Sequence, residues 1–158
     1  MVRTESLSPP INAYSWLRSP PLTSFEPGSV YAVEFWAAWW MPCMAAMSHL
    51  VLRQEKYKDG GLQVVGVAAH ERARTADDAR TKLTTWLTKN LPNLNYRIAF
   101  DYTQEMNKLW VDPSFPCESP TSFVVHRDGY IAFMGHAMQL DDVLPKVLDG
   151  IWRASDGS

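Results

Sequence analysis

The run Val30-Tyr31-Ala32-Val33-Glu34-Phe35-Trp36 constrains this chain more than any other. It is apolar, rich in β-branched and aromatic residues, and long enough for one strand crossing a core. Small and aromatic residues follow, then Pro42 and Cys43, and then helical spacing through Met44, Met47, Leu50 and Val51 with Gln54 and Tyr57. Proline is tolerated in the first turn of a helix, where its missing N–H would have no partner in any case. The run therefore predicts a buried strand over Val30–Trp36 feeding a helix from Pro42 to about Lys58. Gly60-Gly61 stops that helix.

Leu62–Ala68 reads as a second buried strand, β-branched and bounded by turn residues. A helix starts at or beside Thr75, with Ala79, Leu83, Trp86 and Leu87 inward and Pro92 beyond its end. Tyr96–Phe100 is a third strand and Gln104–Trp110 a short helix. Thr121–Val125 and Tyr130–Met134 make a hairpin, for which Asp128-Gly129 supplies the turn chemistry. Leu140, Val143, Leu144, Val147, Leu148, Ile151 and Trp152 form the stripe of a closing helix, with Pro145 in its first turns. A strand-helix-strand start sets a parallel pair through a right-handed crossover, and the hairpin adds antiparallel strands. The fold class is α/β, a mixed central sheet with helices on both faces.

Residues 1–28 read as an extended lead-in, because Pro9, Pro10, Pro20, Pro21 and Pro27 exclude helix interiors and central strands. Within it, Tyr14, Trp16 and the segment Leu22–Phe25 are able to pack on or pair with the body. Residues 29–153 form the single domain, and 154–158 a tail. A length of 158 residues, 46% hydrophobic and 20% charged, suits one soluble core. A net charge of −2 gives no reason to expect nucleic acid or an anionic membrane as partner. No apolar run reaches the length of a membrane span. The first ten residues lack the basic start and apolar stretch of a secretory signal, so the chain as written reads as cytoplasmic; removal of a leader would make it exported or periplasmic. Two cysteines, Cys43 and Cys117, are too few for a disulfide framework and lack zinc-site spacing.

Glu34-Phe35-Trp36-Ala37-Ala38-Trp39-Trp40-Met41-Pro42-Cys43 resembles the strand-to-helix junction of the thioredoxin-like superfamily, where Phe-Trp-Ala leads to Cys-x-x-Cys. Ser119-Pro120-Thr121 resembles the cis-proline loop of that superfamily. Phe123 to Ala132, then Gly135-His136 and Leu140 to Trp152, resemble the TlpA-like branch of AhpC/TSA-type thiol–disulfide oxidoreductases. The resemblance covers roughly Gly28 to Trp152 and implies a thioredoxin-like fold, disulfide exchange with protein thiols, and no cofactor. One departure stands out. Trp40 occupies the place of the attacking cysteine, leaving Trp-Met-Pro-Cys.

In an intact motif the first cysteine lies at a helix N-terminus, where unpaired N–H groups stabilise its thiolate, and the second resolves the mixed disulfide. Trp40 cannot attack a disulfide, so dithiol reductase activity is expected to be very low or nil. Cys43 is the remaining reactive candidate of the motif; buried thiols, however, are commonly inert. The resemblance makes Glu34 the buried acid that passes protons to and from the resolving cysteine, its pKa raised by desolvation. Otherwise it is a strand-end glutamate reaching solvent or a backbone partner. Pro120 is the expected cis peptide. Cys117, three residues earlier, would supply a second thiol if its Cα lay within about 7 Å of that of Cys43. Trp39, Trp40, Met41 and Pro42, facing Ser119 and Pro120, would form an apolar rim for an extended peptide. Trp36 is expected in the core.

Met41, Met44 and Met47 recur near Cys43 and His49 in a pattern that suits Cu(I), but such methionines usually fill core gaps, and no metal is called for. A peroxidase would need a Pro-x-x-x-Thr-x-x-Cys pattern that the residues before Cys43 lack. Two alternatives to a weak reductase remain: a non-catalytic peptide-binding module using the Trp40/Pro120 groove, and a one-cysteine redox protein using Cys43 with or without Cys117. Native or introduced, Trp40 sits among otherwise complete machinery.

Overall fold

All seven residues of β2 (Val30–Trp36) are buried, and this strand lies at the centre of the molecule. The computed structural model describes residues 3–37, 41–69, 73–111 and 121–152; the side chains of 41–44 are outside that description. Six strands form one mixed sheet in the order β1-β4-β3-β2-β5-β6. They are β1 (Ser15–Arg18), β2, β3 (Leu62–Ala68), β4 (Arg97–Phe100), β5 (Ser122–Val125) and β6 (Ile131–Gly135). The strand pairs β2–β3 and β3–β4 are parallel, and β1, β5 and β6 join antiparallel. The predicted crossover and hairpin are both present. Among the described residues, no helix is long and apolar enough to cross a membrane.

The helices are α1 (Met41–Tyr57), α2 (Ala76–Asn90), α3 (Glu105–Trp110) and α4 (Leu140–Leu148). Thr75 caps α2 by accepting the Asp78 N–H, and Asp77 and Asp78 sit favourably in the first turn. Burial then splits by strand parity. Val30, Ala32 and Trp36 face Met47 and Leu50 of α1, Leu83 and Leu87 of α2, and Val143 and Leu144 of α4. Tyr31, Val33 and Phe35 face the other way, onto Met106 and Trp110 of α3.

The second face carries a helix, as expected, but not a helix alone. One short helix shares it with the lead-in, whose Ile11, Ala13, Trp16, Leu22 and Phe25 pack there. The lead-in also reaches both ends of the sheet. β1 pairs with β4, while Glu5 N–H donates to Ile131 and Ile131 N–H to Ser6 at the β6 end. Prolines fit between these two short pairings because that stretch contributes no ladder.

The closing helix is shorter than its stripe. It stops at Leu148, Gly150 takes φ +77°, and Ile151 is 65% exposed. Trp152 is buried outside the helix, where its Nε1 donates to Ala132 O at 2.8 Å. A left-handed glycine ended the periodicity that the apolar residues alone would have continued. Pro145 falls in the second turn of α4.

Arg127, in the β5–β6 turn, ties three elements together at the edge opposite the motif. Its guanidinium donates to the carbonyls of Gly28 (2.7 Å), Gly60 (3.1 Å) and Leu148 (3.0 Å). Gly61 lies against it with φ +96°, and a Cβ there would approach Arg127 Nη1 to 2.9 Å. Removing the guanidinium breaks three hydrogen bonds, two of them to exposed carbonyls that water takes over, so Arg127→Ala is expected to cost about 1–2 kcal/mol and roughly 5 °C in Tm. Arg127→Lys should recover little, because one ammonium group does not span three acceptors. Thermal melts of both variants check this; a lysine variant as stable as the native chain would contradict it.

Candidate functional site

Glu34 is the one charged residue of β2, and it is only 4% exposed. A carboxyl group so enclosed needs a polar partner or must hold its proton. The antiparallel register sets Glu34 opposite Ser122, itself fully buried, and the Ser122 hydroxyl donates to Glu34 Oε2. On the other side Glu34 is in register with Gly66 of β3. That glycine makes room: a Cβ there would lie 3.2 Å from both Trp36 Nε1 and Tyr96 Cε2, and 2.8 Å from Ile98 Cδ1. Tyr96 reaches across to α1, its hydroxyl donating to Met47 O at 3.4 Å.

Burial pushes the Glu34 carboxyl up to about 8, and the hydrogen bond from Ser122 opposes part of that rise. The Tyr96 hydroxyl is held above its usual range, first by burial and then by the Glu34 charge. The cluster therefore contains an acid that is mostly protonated at neutral pH and that releases its proton under mildly alkaline conditions. Such a group accepts or donates a proton when a partner lies within hydrogen-bond reach. Trp36 covers the site, stacked on Trp86 with centroids 5.4 Å apart, and its Nε1 is buried without a partner.

The cluster lies where the motif begins. Trp36 ends β2, and α1 starts at Met41, so Met41, Pro42 and Cys43 occupy the first turn of that helix. Phe35 N–H donates to Thr121 O at 2.9 Å, and Thr121 N–H donates to Gly135 O at 3.1 Å. Thr121, the residue that follows Pro120 in the sequence, is thus stitched to the end of β2. These carboxyl-terminal strand ends are where open α/β sheets place their ligands.

Of the residues singled out from sequence, Glu34 lies as expected in the core with a raised pKa, and Trp36 is core at 3% exposure. Met47 is fully buried and fills space beneath Tyr96. Trp39, Trp40, Cys117, Ser119 and Pro120, with the predicted cis peptide, lie outside the described residues, as do the side chains of Met41, Pro42 and Cys43. Ser122 and Tyr96 were not foreseen. The signal existed: a glutamate within a wholly apolar strand demands a polar neighbour in register, and Ser122 is the small polar residue facing it from the hairpin.

Comparison with known proteins gives the family and the fold. The AhpC/TSA family pattern matches residues 19–134. Protein FixW of Rhizobium leguminosarum is 45% identical over 150 residues, which is 95% of this chain and 68% of FixW. Protein DipZ of Mycobacterium bovis is 33% identical over 107 residues, 60% of this chain but only 14% of that much longer protein. Among solved structures, a thiol:disulfide interchange protein of the thioredoxin family from Chlorobium tepidum superposes with a TM-score of 0.70 at 18% identity, covering 94% of this chain and 99% of its own. That last likeness speaks for the fold alone. The chain belongs to the AhpC/TSA family, within the thioredoxin-like superfamily.

Proposed function

We propose that this chain descends from thiol–disulfide oxidoreductases of the TlpA-like type and retains little or no dithiol reductase activity. The observation that carries the reading is the sequence Trp40-Met41-Pro42-Cys43 between β2, which carries the buried Glu34, and the body of α1. Without a first cysteine, no thiolate at that position attacks a disulfide, and no disulfide within the motif closes the cycle. Trp39, Trp40, Met41 and Pro42, with Ser119 and Pro120, would then hold an extended segment of a protein thiol or disulfide partner. In a dithiothreitol-driven insulin assay the native chain is expected to match the no-protein control. A rate clearly above it would overturn the reading.

The retained acid favours a second reading, a one-cysteine centre at Cys43. The Cys43 thiolate would attack one sulfur of a partner disulfide, forming a mixed disulfide as the partner's other sulfur leaves as thiolate. Before that step, Glu34 in its ionised form, the minority form at neutral pH, would take the proton from the Cys43 thiol and so generate the thiolate. Cys43→Ser separates the two readings, since it abolishes covalent capture of a disulfide-bonded peptide but leaves non-covalent holding intact. Cys117 joins this chemistry only if Cys117→Ser also reduces the captured fraction.

A further inference from the structure

We infer that Ser122 is the positioning residue of the Glu34 carboxyl, fixing its orientation and setting how tightly it holds its proton. The geometry is specific. Glu34 and Ser122 are register partners on β2 and β5, both in the core, and the Ser122 hydroxyl donates to Glu34 Oε2. Ser122 has little freedom, because β5 is paired on both sides: with Glu34 on β2 and with Gly135 on β6. A hydroxyl is both donor and acceptor, so the same contact serves the ionised and the protonated carboxyl by rotation of one O–H. Proton uptake at Glu34 then needs no backbone movement.

The other hydroxyl of the cluster is committed elsewhere, since Tyr96 donates to the Met47 carbonyl of α1. Tyr96 is also the titratable neighbour that the Glu34 charge reaches; on Glu34 itself, burial and the Ser122 bond are what act. Ser122 therefore opposes burial directly. Without it, the ionised form loses its donor and the carboxyl holds its proton to higher pH.

The use made of that proton rests on the proposed oxidoreductase descent, but the pairing itself does not. The test is a carbon-13 NMR titration of the glutamate carboxyls, with Glu34→Gln identifying the Glu34 signal. Ser122→Ala is expected to raise the Glu34 midpoint by about one pH unit, a roughly tenfold gain in proton affinity and the scale of one hydrogen bond to a charged acceptor. Ser122→Cys, near in shape but a weak donor, should raise it as well, and covers the case in which the alanine variant folds poorly. An unchanged midpoint in a folded variant overturns the inference. In the Trp40→Cys background the pH–rate profile should move with the midpoint. If the midpoint moves while Trp40→Cys stays inactive, Ser122 keeps its role and the functional reading fails instead.

Discussion

Glu34→Gln is expected to abolish most of the loss of stability that the native chain undergoes between about pH 5 and about pH 9. The carboxyl titrates near 4.5 when exposed and near 8 in the folded chain. Between those values the folded state keeps a proton that the unfolded state has released, so stability falls as pH rises and the full cost is present above about 8. Below 4.5 both states hold the proton, and Glu34 contributes no pH dependence. The cost at the alkaline end is on the order of a few kcal/mol, a large share of the stability of a single domain. Glutamine is neutral throughout and can accept the same hydrogen bond from Ser122. Urea denaturation of both chains across this range is the check. The curves should meet near pH 5 and diverge upward, the variant being the more stable. Parallel curves would mean that Glu34 ionises freely in the folded chain.

The second large effect is in the core beneath the lead-in. Trp110, at the end of α3, is 1% exposed and packs against Phe123 (5.2 Å between centroids), Phe25 (6.0 Å) and Phe35 (6.2 Å). It joins the lead-in, β2 and β5 in one aromatic cluster. Trp110→Ala should cost about 3–5 kcal/mol, from lost burial plus the cavity left behind. For a chain of this length that corresponds to a Tm lower by roughly 10 °C or more. Trp110→Phe should be far milder. The indole Nε1 is buried without a partner, so phenylalanine loses volume but also removes an unsatisfied donor. Thermal melts of the two variants separate packing from polarity. Equal losses would contradict this division.

The sheet was legible because its strands are apolar runs bounded by glycine and proline, and because the spacing after Pro42 is helical. Fold class, crossover and hairpin followed from period and turn chemistry. What escaped was long-range. That Trp16 and Leu22–Phe25 of the lead-in join the body was expected, but which sheet edges the lead-in pairs with depends on which stay open after the body folds, and no local pattern records that. The end of α4 escaped because Leu148, Ile151 and Trp152 continue a helical period, while Gly150 breaks the backbone beneath it.

The site was legible in part for the same reason. Glu34 was conspicuous as a charge inside an apolar strand, and the motif gave its neighbours along the chain. Ser122 and Tyr96 come from strands distant in sequence and meet Glu34 only through sheet register. Gly66 had no visible role until Trp36 and Tyr96 were seen to occupy the space above it. Local sequence names the acid; topology supplies what surrounds it.

If the scaffold is a sound reductase site lacking only its nucleophile, restoring the cysteine restores turnover. Insulin disulfide reduction by Trp40→Cys, run beside the native chain with dithiothreitol, tests it most directly. The variant should exceed the native chain by about 100-fold or more, within the range over which an enzyme responds to loss of its nucleophile. A silent Trp40→Cys chain that nevertheless folds would contradict the account, because the buried acid and the junction would then not constitute a reductase site at all.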